Sequence, residues 1–292
     1  MRDGSMTAPL LDPTLLARIE RLQLANRRRL AGGLTGEHRS PRHGSSLDFA
    51  DFRDYHPGDD LRRLDVAALA RFDRLLVKLF DAEDDLTLRL LIDNSASMAG
   101  AKLTRAVELA AALGFSALVR RDVVTVHTFS NPRSGDRLRG RAAISALFER
   151  LAAIEAAGAT RFADAADQLL RQPGPPGLTV VLSDLLTEEW DDGISRLPAR
   201  NGELVVAHVL DPSDLDPVVT GDVELVDVES GSRVEVSLSS SVLDDYRQLA
   251  QRWSDDVAGR VRAVGGRHVR VLTTDDLEEV VLGRARTAGI LR

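Results

Sequence analysis

The sequence predicts an α/β fold built on a doubly wound, mostly parallel sheet that follows an N-terminal module. From residue 86 onward, short apolar runs alternate with longer amphipathic stretches, and this alternation of strands and helices is typical of a parallel sheet. Two runs of alternating polarity interrupt the pattern once and predict a β-hairpin insertion at about residues 222–237. We therefore divide the chain into a module, residues 1–85, and a sheet domain, residues 86–292.

The N-terminal module begins with a predicted helix. Leucines between residues 9 and 29 recur at helical spacing, and Asp12 followed by Pro13 is typical of an N-cap and a first turn. Glycines and polar residues at 31–46 then predict an extended connector. Further along, we expect a turn, a helix and a strand, at residues 54–60, 61–70 and 75–80. Arginines and aspartates alternate in this part of the module, which fits either an ion-pair network or a docking face for an acidic partner.

The sheet domain is predicted from apolar runs bounded by polar turns, each of a length typical of a strand buried on both faces. The predicted strands are residues 88–93, 123–129, 178–183, 204–210 and 268–273. The stretches between them carry the apolar spacing of amphipathic helices. The predicted helices are residues 101–120, 142–156, 163–170, 190–197, 242–264 and 275–288.

The composition argues against several classes of protein. Lys and Arg number 38 against 45 Asp and Glu, a formal net charge of −7, which argues against nucleic acid as the main partner. The sequence has no cysteine, so it can form neither disulfides nor thiolate zinc sites, and this fits a reducing compartment. No run of about 18 apolar residues occurs, and the first residues lack the apolar core of a signal peptide. We expect a cytoplasmic protein without membrane insertion.

A carboxylate and two hydroxyls follow the first predicted strand of the sheet domain at alternate positions: Asp93, Ser95 and Ser97. Doubly wound sheets bind ligands at the carboxyl ends of their strands. The three oxygens would suit a hard cation, because Mg²⁺ takes about six oxygen ligands at about 2.1 Å. One of the serines would instead serve as N-cap of the helix that begins near Ala101, since serine is a preferred capping residue. The spacing of these residues alone leaves both interpretations open.

Two further residues fall on the same edge of the predicted sheet. Thr160 lies in a loop just before a helix, and Asp184 directly follows a strand. A strand-end Asp-x-Ser-x-Ser, a loop threonine and a second strand-end aspartate resemble the metal-ion-dependent adhesion site of von Willebrand factor A domains.

That resemblance implies a sheet of von Willebrand factor A type and a specific set of metal ligands. Ser95, Ser97 and Thr160 would offer hydroxyls, and Asp93 and Asp184 would bind directly or through water. The cation would be Mg²⁺, with Mn²⁺ and Ca²⁺ as alternatives. One coordination position would stay open for a Glu or Asp carboxylate of a protein partner.

The chain also resembles the bacterial domain-of-unknown-function 58 family. The resemblance rests on segments 48–65, 77–80, 91–98 and 225–231, with Val66 in place of the tryptophan usual in that family. Many members are encoded beside MoxR-type AAA+ ATPases, which implies such an ATPase as a partner. The chain lacks the Gly-x-x-x-x-Gly-Lys-Ser/Thr phosphate loop, so we do not expect it to be the ATPase itself.

From these residues and resemblances we expect a non-enzymatic, divalent-metal-dependent protein-binding module. It would act with a MoxR-type AAA+ ATPase in the assembly or chaperoning of other proteins. One alternative is a Mg²⁺-dependent phosphoryl-transfer enzyme that uses Asp93 as nucleophile, although such enzymes need an acid/base carboxylate two residues later, where Ser95 stands. The other alternative is a structural subunit with a non-functional metal site.

Overall fold

The computed structural model describes residues 10–25, 47–56, 64–65, 68–69, 71, 74–82, 86–132, 135–172, 174–175, 177–200 and 202–292. The chain divides into two compact units, one formed by Met1–Leu30 with Leu86–Arg292 and the other by Ala31–Asp85. The first 30 residues therefore group with the sheet, whereas the division predicted from the sequence places them in the N-terminal module.

The helices and strands of the described residues are named in chain order. They are α1 (Pro13–Ile19), β1 (Leu47–Asp54), β2 (Leu76–Ala82), β3 (Thr87–Ile92), α2 (Ala101–Val119), β4 (Val123–Thr128), β5 (Leu138–Arg139), α3 (Ile144–Ala152), α4 (Phe162–Leu170), β6 (Leu178–Ser183), α5 (Trp190–Arg196), β7 (Glu203–Leu210), α6 (Pro212–Leu215), β8 (Gly221–Val226), β9 (Arg233–Leu238), α7 (Ser240–Ala263), β10 (Arg267–Leu272), α8 (Leu277–Glu279) and α9 (Ala285–Thr287).

Within the described residues, six strands form one sheet in the order β10-β7-β6-β3-β4-β5. Its neighbouring strands run parallel, except that β5 is antiparallel to β4. The α/β class and the mostly parallel sheet are therefore confirmed. The strand order reverses between β3 and β6, because the chain first adds β4 on one side of β3 and later adds β6 on the other side of β3. Ligand crevices of open α/β sheets lie at this kind of reversal, outside the carboxyl ends of the strands.

The core of the sheet unit explains why the N-terminal helix belongs to it. Every residue of β3 is buried, and α2 lies against the sheet with most of its side chains buried. Leu15 and Ile19 of α1 join the same apolar cluster, and Leu24 forms a β-bridge with Leu291. Asp12 caps α1 as predicted, accepting a hydrogen bond from the Thr14 N–H at 2.6 Å. The helix ends at Ile19, earlier than residue 29.

Several elements differ from the sequence predictions. Strand β1 is absent from the sequence predictions, because charged residues interrupt its apolar residues and leave no continuous apolar run. The two-residue strand β5 is too short to leave a periodic pattern. The predicted helix at 275–288 is interrupted between α8 and α9 by a π-helical turn, Val280–Arg284. The connector at 31–46 and the segment 57–63 lie outside the described residues.

The second unit contains an antiparallel pair of strands. β1 pairs with β2, with a bulge between Phe49 and Asp51, and β2 matches the strand predicted at 75–80. The Arg74 guanidinium donates to the exposed Asp54 carboxylate at 2.6 Å. Most other residues of the predicted ion-pair network lie outside the described part of the chain. Exposed pairs of this kind contribute at most about 1 kcal/mol.

The predicted hairpin is present as β8 and β9. These strands pair with each other, and with no other strand in the described part of the chain. Most of their side chains are exposed. Hairpin residues therefore contribute little to the core. Among the described residues, no helix is both long and apolar enough to span a bilayer.

Candidate metal centre

Asp93 lies at the point where the strand order reverses. Its backbone N–H donates to the Leu182 carbonyl at 2.9 Å, which continues the pairing of β3 with β6 by one residue. The carboxylate is fully buried. The N–H and hydroxyl of Ser95 donate to Oδ1 at 3.0 and 2.7 Å, and the Ser183 hydroxyl donates to Oδ2 at 2.5 Å. Both oxygens are thus fixed in position by hydrogen bonds from two different strand ends.

The environment of Asp93 favours a nearby cation. Burial raises the pKa of its carboxyl to about 6, and the negative charge of Asp184 acts in the same direction, while hydrogen bonds from Ser183 and Ser95 partly oppose the rise. The hydrogen bonds therefore compensate only part of the cost of burying this charge. A bound divalent cation would supply the missing compensation.

The two serines after Asp93 turn toward each other. The hydroxyl oxygens of Ser95 and Ser97 are 3.0 Å apart. Neither serine caps α2, whose N-cap is Gly100 and lacks a side-chain capping bond. The capping alternative is therefore not supported. In an octahedron with metal–oxygen distances of about 2.1 Å, neighbouring ligand oxygens lie about 3 Å apart, so the spacing of these hydroxyls suits two ligands of one cation.

The loop that carries Thr160 is attached to the Asp93 loop by backbone hydrogen bonds. The Ala96 N–H donates to the Gly158 carbonyl at 2.9 Å, and the Ala157 N–H donates to the Asn94 carbonyl at 2.8 Å. These bonds hold the loop just before Thr160 against the loop of the two serines, although Thr160 lies more than 60 residues further along the chain.

Asn94 and Phe162 stabilise this arrangement. The Asn94 amide donates to the Ser130 hydroxyl at 2.9 Å and to the Glu155 carbonyl at 3.1 Å, so one side chain joins three loops. Phe162, fully buried at the start of α4, stacks on Phe129 with ring centroids 5.1 Å apart. The sequence pattern predicts no role for either residue, since Asn94 differs from an ordinary turn residue only by its tertiary contacts.

Asp184 directly follows β6 and is fully buried. Its Oδ1 accepts the Leu186 N–H at 3.1 Å, and its Oδ2 accepts the Lys102 ammonium at 2.7 Å. Lys102 also lies 3.5 Å from Asp214. Burial acts to lower the pKa of Lys102, but the two carboxylates raise it above its ordinary value, so the ammonium stays charged. With both oxygens engaged, Asp184 would contact a cation most readily through water.

The backbone beyond Asp184 is strained. Leu185 has a φ of 54°, in the left-handed region that β-carbon contacts disfavour. Its side chain is fully buried, and its N–H donates to the Ser183 hydroxyl at 2.9 Å. The buried side chain and this hydrogen bond hold a conformation that would otherwise cost about 1–3 kcal/mol.

A third carboxylate, which the sequence analysis did not assign to the site, reaches it from the β8–β9 hairpin. Glu229 accepts the Thr160 N–H at 2.9 Å and the Thr160 hydroxyl at 2.7 Å, and the Ser97 hydroxyl lies close enough to help lower the pKa of the Glu229 carboxyl. Burial acts to raise the pKa of Glu229, but these hydrogen bonds outweigh burial and lower it. Glu229 lies in segment 225–231, which is part of the family resemblance. That resemblance is the one feature of the sequence that could have pointed to Glu229.

The donors present fit a hard divalent cation. Carboxylate and hydroxyl oxygens are the ligand types that Mg²⁺ and Ca²⁺ prefer. Among the described residues, no three or more His, Cys, Asp and Glu side chains are placed to hold a metal together. A cation here would therefore depend on the hydroxyls of Ser95, Ser97 and Thr160 as well as on Asp93.

The family described as "Protein of unknown function DUF58" matches residues 51–256 of the chain. The chain belongs to the DUF58 family. The chain is 30% identical to the Uncharacterized protein Rv1480 of Mycobacterium tuberculosis over 289 residues, which cover 91% of this chain and 87% of that protein. It matches the Uncharacterized protein Mb1516 of Mycobacterium bovis with the same identity and coverage.

Two solved structures resemble this DUF58 protein at low similarity. The conserved hypothetical protein BatB from Bacteroides thetaiotaomicron is 14% identical, with a TM-score of 0.38. An aerotolerance-related membrane protein from Bacteroides fragilis, with multiple mutations to serines, is 17% identical, with a TM-score of 0.41. Each comparison covers 70% of this chain and 98% of the other.

Proposed function

We propose that this DUF58 protein is a non-enzymatic, divalent-metal-dependent protein-binding module with a von Willebrand factor A-type sheet. The metal ligands would be Asp93, Ser95, Ser97 and Thr160, with Asp184 acting directly or through water. The observation that carries the proposal is the closeness of three of these side chains at the reversal of strand order: the Ser95 hydroxyl lies 2.7 Å from the Asp93 carboxylate and 3.0 Å from the Ser97 hydroxyl.

The residues of the site would bind a partner's carboxylate only when the cation is present. A bound Mg²⁺ supplies a Lewis-acidic position for a carboxylate oxygen, and Mn²⁺ or Ca²⁺ would do the same. Without the cation, Asp93 and Asp184 would repel an incoming Glu or Asp. Hydroxyl ligands carry no charge, so a site in which they predominate leaves the cation electrophilic.

Phosphoryl transfer from Asp93 is less well supported. A nucleophilic carboxylate needs an acid/base group nearby. Ser95 stands where that acid/base carboxylate would be needed.

The ion pair of Lys102 and Asp184 favours a second candidate, a structural subunit whose metal site is non-functional. The ammonium already neutralises one of the two aspartates of the site at 2.7 Å. In this alternative the oxygen cluster would serve only to hold the loops together. Addition of a metal would then change neither stability nor partner binding.

We further propose that the partner is a MoxR-type AAA+ ATPase and that the two proteins act together in the cytoplasm on other proteins. Membership of the DUF58 family supports this choice of partner, through the gene neighbourhood typical of the family. The expected partner surface is acidic at the contact point, because the metal position takes a Glu or Asp carboxylate.

Thermal unfolding in EDTA, Mg²⁺, Mn²⁺ and Ca²⁺ tests the proposal on the wild type and on Asp93→Ala. A ligand that binds only the folded state raises the unfolding midpoint by mass action. We expect a rise with Mg²⁺ or Mn²⁺ in the wild type and none in the variant. Identical midpoints under all four conditions in the wild type would favour the structural subunit instead.

A further inference from the structure

We propose that Glu229 is a tethered ligand of the candidate metal centre, carried on the β8–β9 hairpin, and that it takes the coordination position open to a partner's carboxylate. This inference rests on the proposed metal site and specifies how that site is regulated. The hairpin would compete with a partner's carboxylate for the open coordination position, and the partner would have to displace it.

The contacts of Glu229 carry the inference. Both of its carboxylate oxygens accept hydrogen bonds from Thr160, at 2.9 and 2.7 Å, and the Ser97 hydroxyl lies close enough to help lower the pKa of the same carboxyl. Ser97 and Thr160 are two of the hydroxyl ligands that the proposed site requires. A carboxylate that is hydrogen-bonded to Thr160 and close to Ser97 lies beside two of the proposed ligands, where a cation bound to them would attract it.

The turn of the hairpin holds Glu229 in a defined conformation. The Glu229 N–H donates to the Asp227 carboxylate at 2.9 Å, and the Gly231 N–H donates to the Asp227 carbonyl at 2.8 Å. Asp227 also accepts a hydrogen bond from the Ser230 hydroxyl. Because these bonds form within the turn, the carboxylate is presented with little further loss of conformational entropy.

The rest of the hairpin is weakly held and can therefore leave the site. β8 and β9 form a separate two-stranded sheet, and isolated two-stranded hairpins are marginally stable in water. Leu225, Val228 and Val234 are 51%, 66% and 58% exposed. The contacts of Glu229 thus form a large part of the interactions that would break if the hairpin moved away from the site.

Tethering gives the hairpin an advantage over free carboxylates. A ligand on a short tether has an effective concentration on the order of 1 mM. A weakly binding free carboxylate would be excluded from the wild-type site, whereas a partner with additional contacts would displace Glu229. The apparent association constant of such a partner equals its intrinsic value multiplied by the fraction of molecules in which the hairpin is released.

Water proton relaxation of bound Mn²⁺ tests the inference on the wild type, Glu229→Gln and the control Glu235→Gln, which changes an exposed glutamate of the same hairpin. If Glu229 coordinates the metal, its amide variant gains an exchangeable water on Mn²⁺, and relaxation rises. We also expect roughly tenfold weaker Mn²⁺ binding in Glu229→Gln. Added acetate should lower relaxation in Glu229→Gln and leave the wild type and Glu235→Gln unchanged.

The outcomes separate this inference from the metal site itself. Equal relaxation and equal acetate response in wild type and Glu229→Gln, with Mn²⁺ bound to both, would overturn the role of Glu229 and leave the metal centre standing. Absence of Mn²⁺ binding in all three proteins would overturn both.

A spin label provides a measurement that does not depend on the Glu229 variant. Because the chain has no cysteine, Val228→Cys can be labelled at a single position with a nitroxide. Bound Mn²⁺ should broaden the nitroxide signal strongly, since the label sits one residue from Glu229. A signal that Mn²⁺ leaves unchanged, in protein shown to bind Mn²⁺, would contradict the inference.

Discussion

The Lys102 ammonium lies 2.7 Å from the fully buried carboxylate of Asp184, within the candidate metal centre. In Lys102→Met, Asp184 and Asp214 lose this cation, and breaking a buried pair costs about 3–5 kcal/mol. In EDTA we expect the free energy of unfolding of the variant to fall by that amount. Mg²⁺ should then raise the unfolding midpoint of the variant more than that of the wild type, because the metal replaces part of the missing positive charge. A variant as stable as the wild type in EDTA, or with the same Mg²⁺ response, would contradict this role.

Ser183 is a second residue whose importance only the structure reveals. Its hydroxyl donates to Asp93 and accepts the Leu185 N–H. Ser183→Ala leaves a buried acceptor and a buried donor without these bonds, so we expect a loss of about 1–3 kcal/mol in the free energy of unfolding, measured in urea. Ser237→Ala, at an exposed serine of β9, should change stability by less than about 0.5 kcal/mol. Equal effects of the two substitutions would refute the assignment.

Gly193 and Gly259 form a matched pair of helical glycines. A β-carbon at Gly193 would overlap the buried ring of Phe162, which is stacked on Phe129 and cannot move aside, whereas nothing lies within 4 Å of one at Gly259. We expect Gly193→Ala to lower the free energy of unfolding by about 1–3 kcal/mol. Gly259→Ala should raise it by about 0.5–1 kcal/mol through helix propensity. If calorimetry shows that both substitutions change the free energy of unfolding in the same direction, the packing account is wrong.

Two neighbouring histidines give the stability of the protein a pH dependence. The ring nitrogens of His208 and His268 are 3.4 Å apart. Burial is the main cause that lowers their pKa values, to about 3 for His208 and about 4 for His268. In the unfolded chain these imidazoles have a pKa near 6.5, so unfolding takes up protons at a pH below about 6.5. Each histidine therefore lowers the free energy of unfolding by about 1.4 kcal/mol for each pH unit between about 6.5 and its folded pKa.

Asp93 acts in the opposite direction, because its folded pKa, about 6, lies above its unfolded value of 3.8. Its carboxyl therefore adds stability as the pH falls below 6. From pH 7 to pH 5 in EDTA, urea unfolding should show a net loss of about 2 kcal/mol, and His268→Gln should make the dependence flatter. Greater stability of the wild type at pH 5 than at pH 7 would contradict the burial of neutral histidines.

Much of the fold could be predicted because it follows from local pattern. The apolar run that ends before Asp93 and the one that ends before Asp184 define strands by themselves, and parallel strands place their carboxyl ends on one edge. The π-helical turn at 280–284 could not be predicted, since it interrupts a stretch whose periodicity is continuous.

The remaining contacts of the site arise from distant parts of the chain. Glu229 lies 69 residues from Thr160, Lys102 lies 82 residues from Asp184, and Ser183 lies 90 residues from Asp93. No local periodicity encodes these separations. Hydroxyl, carboxylate and ammonium groups are also common on protein surfaces, so only the fold distinguishes these residues from solvated ones.

Direct titration of Mn²⁺, with free Mn²⁺ followed by electron paramagnetic resonance, tests the central claim of a metal centre at Asp93. We expect one bound ion per chain in the wild type, with binding lost in Asp93→Asn and at least about tenfold weaker in Thr160→Val. The control Thr104→Val, whose hydroxyl donates to the Gly100 carbonyl away from the site oxygens, should bind like the wild type. Binding that persists unchanged in Asp93→Asn, or no binding by the wild type, would contradict the account.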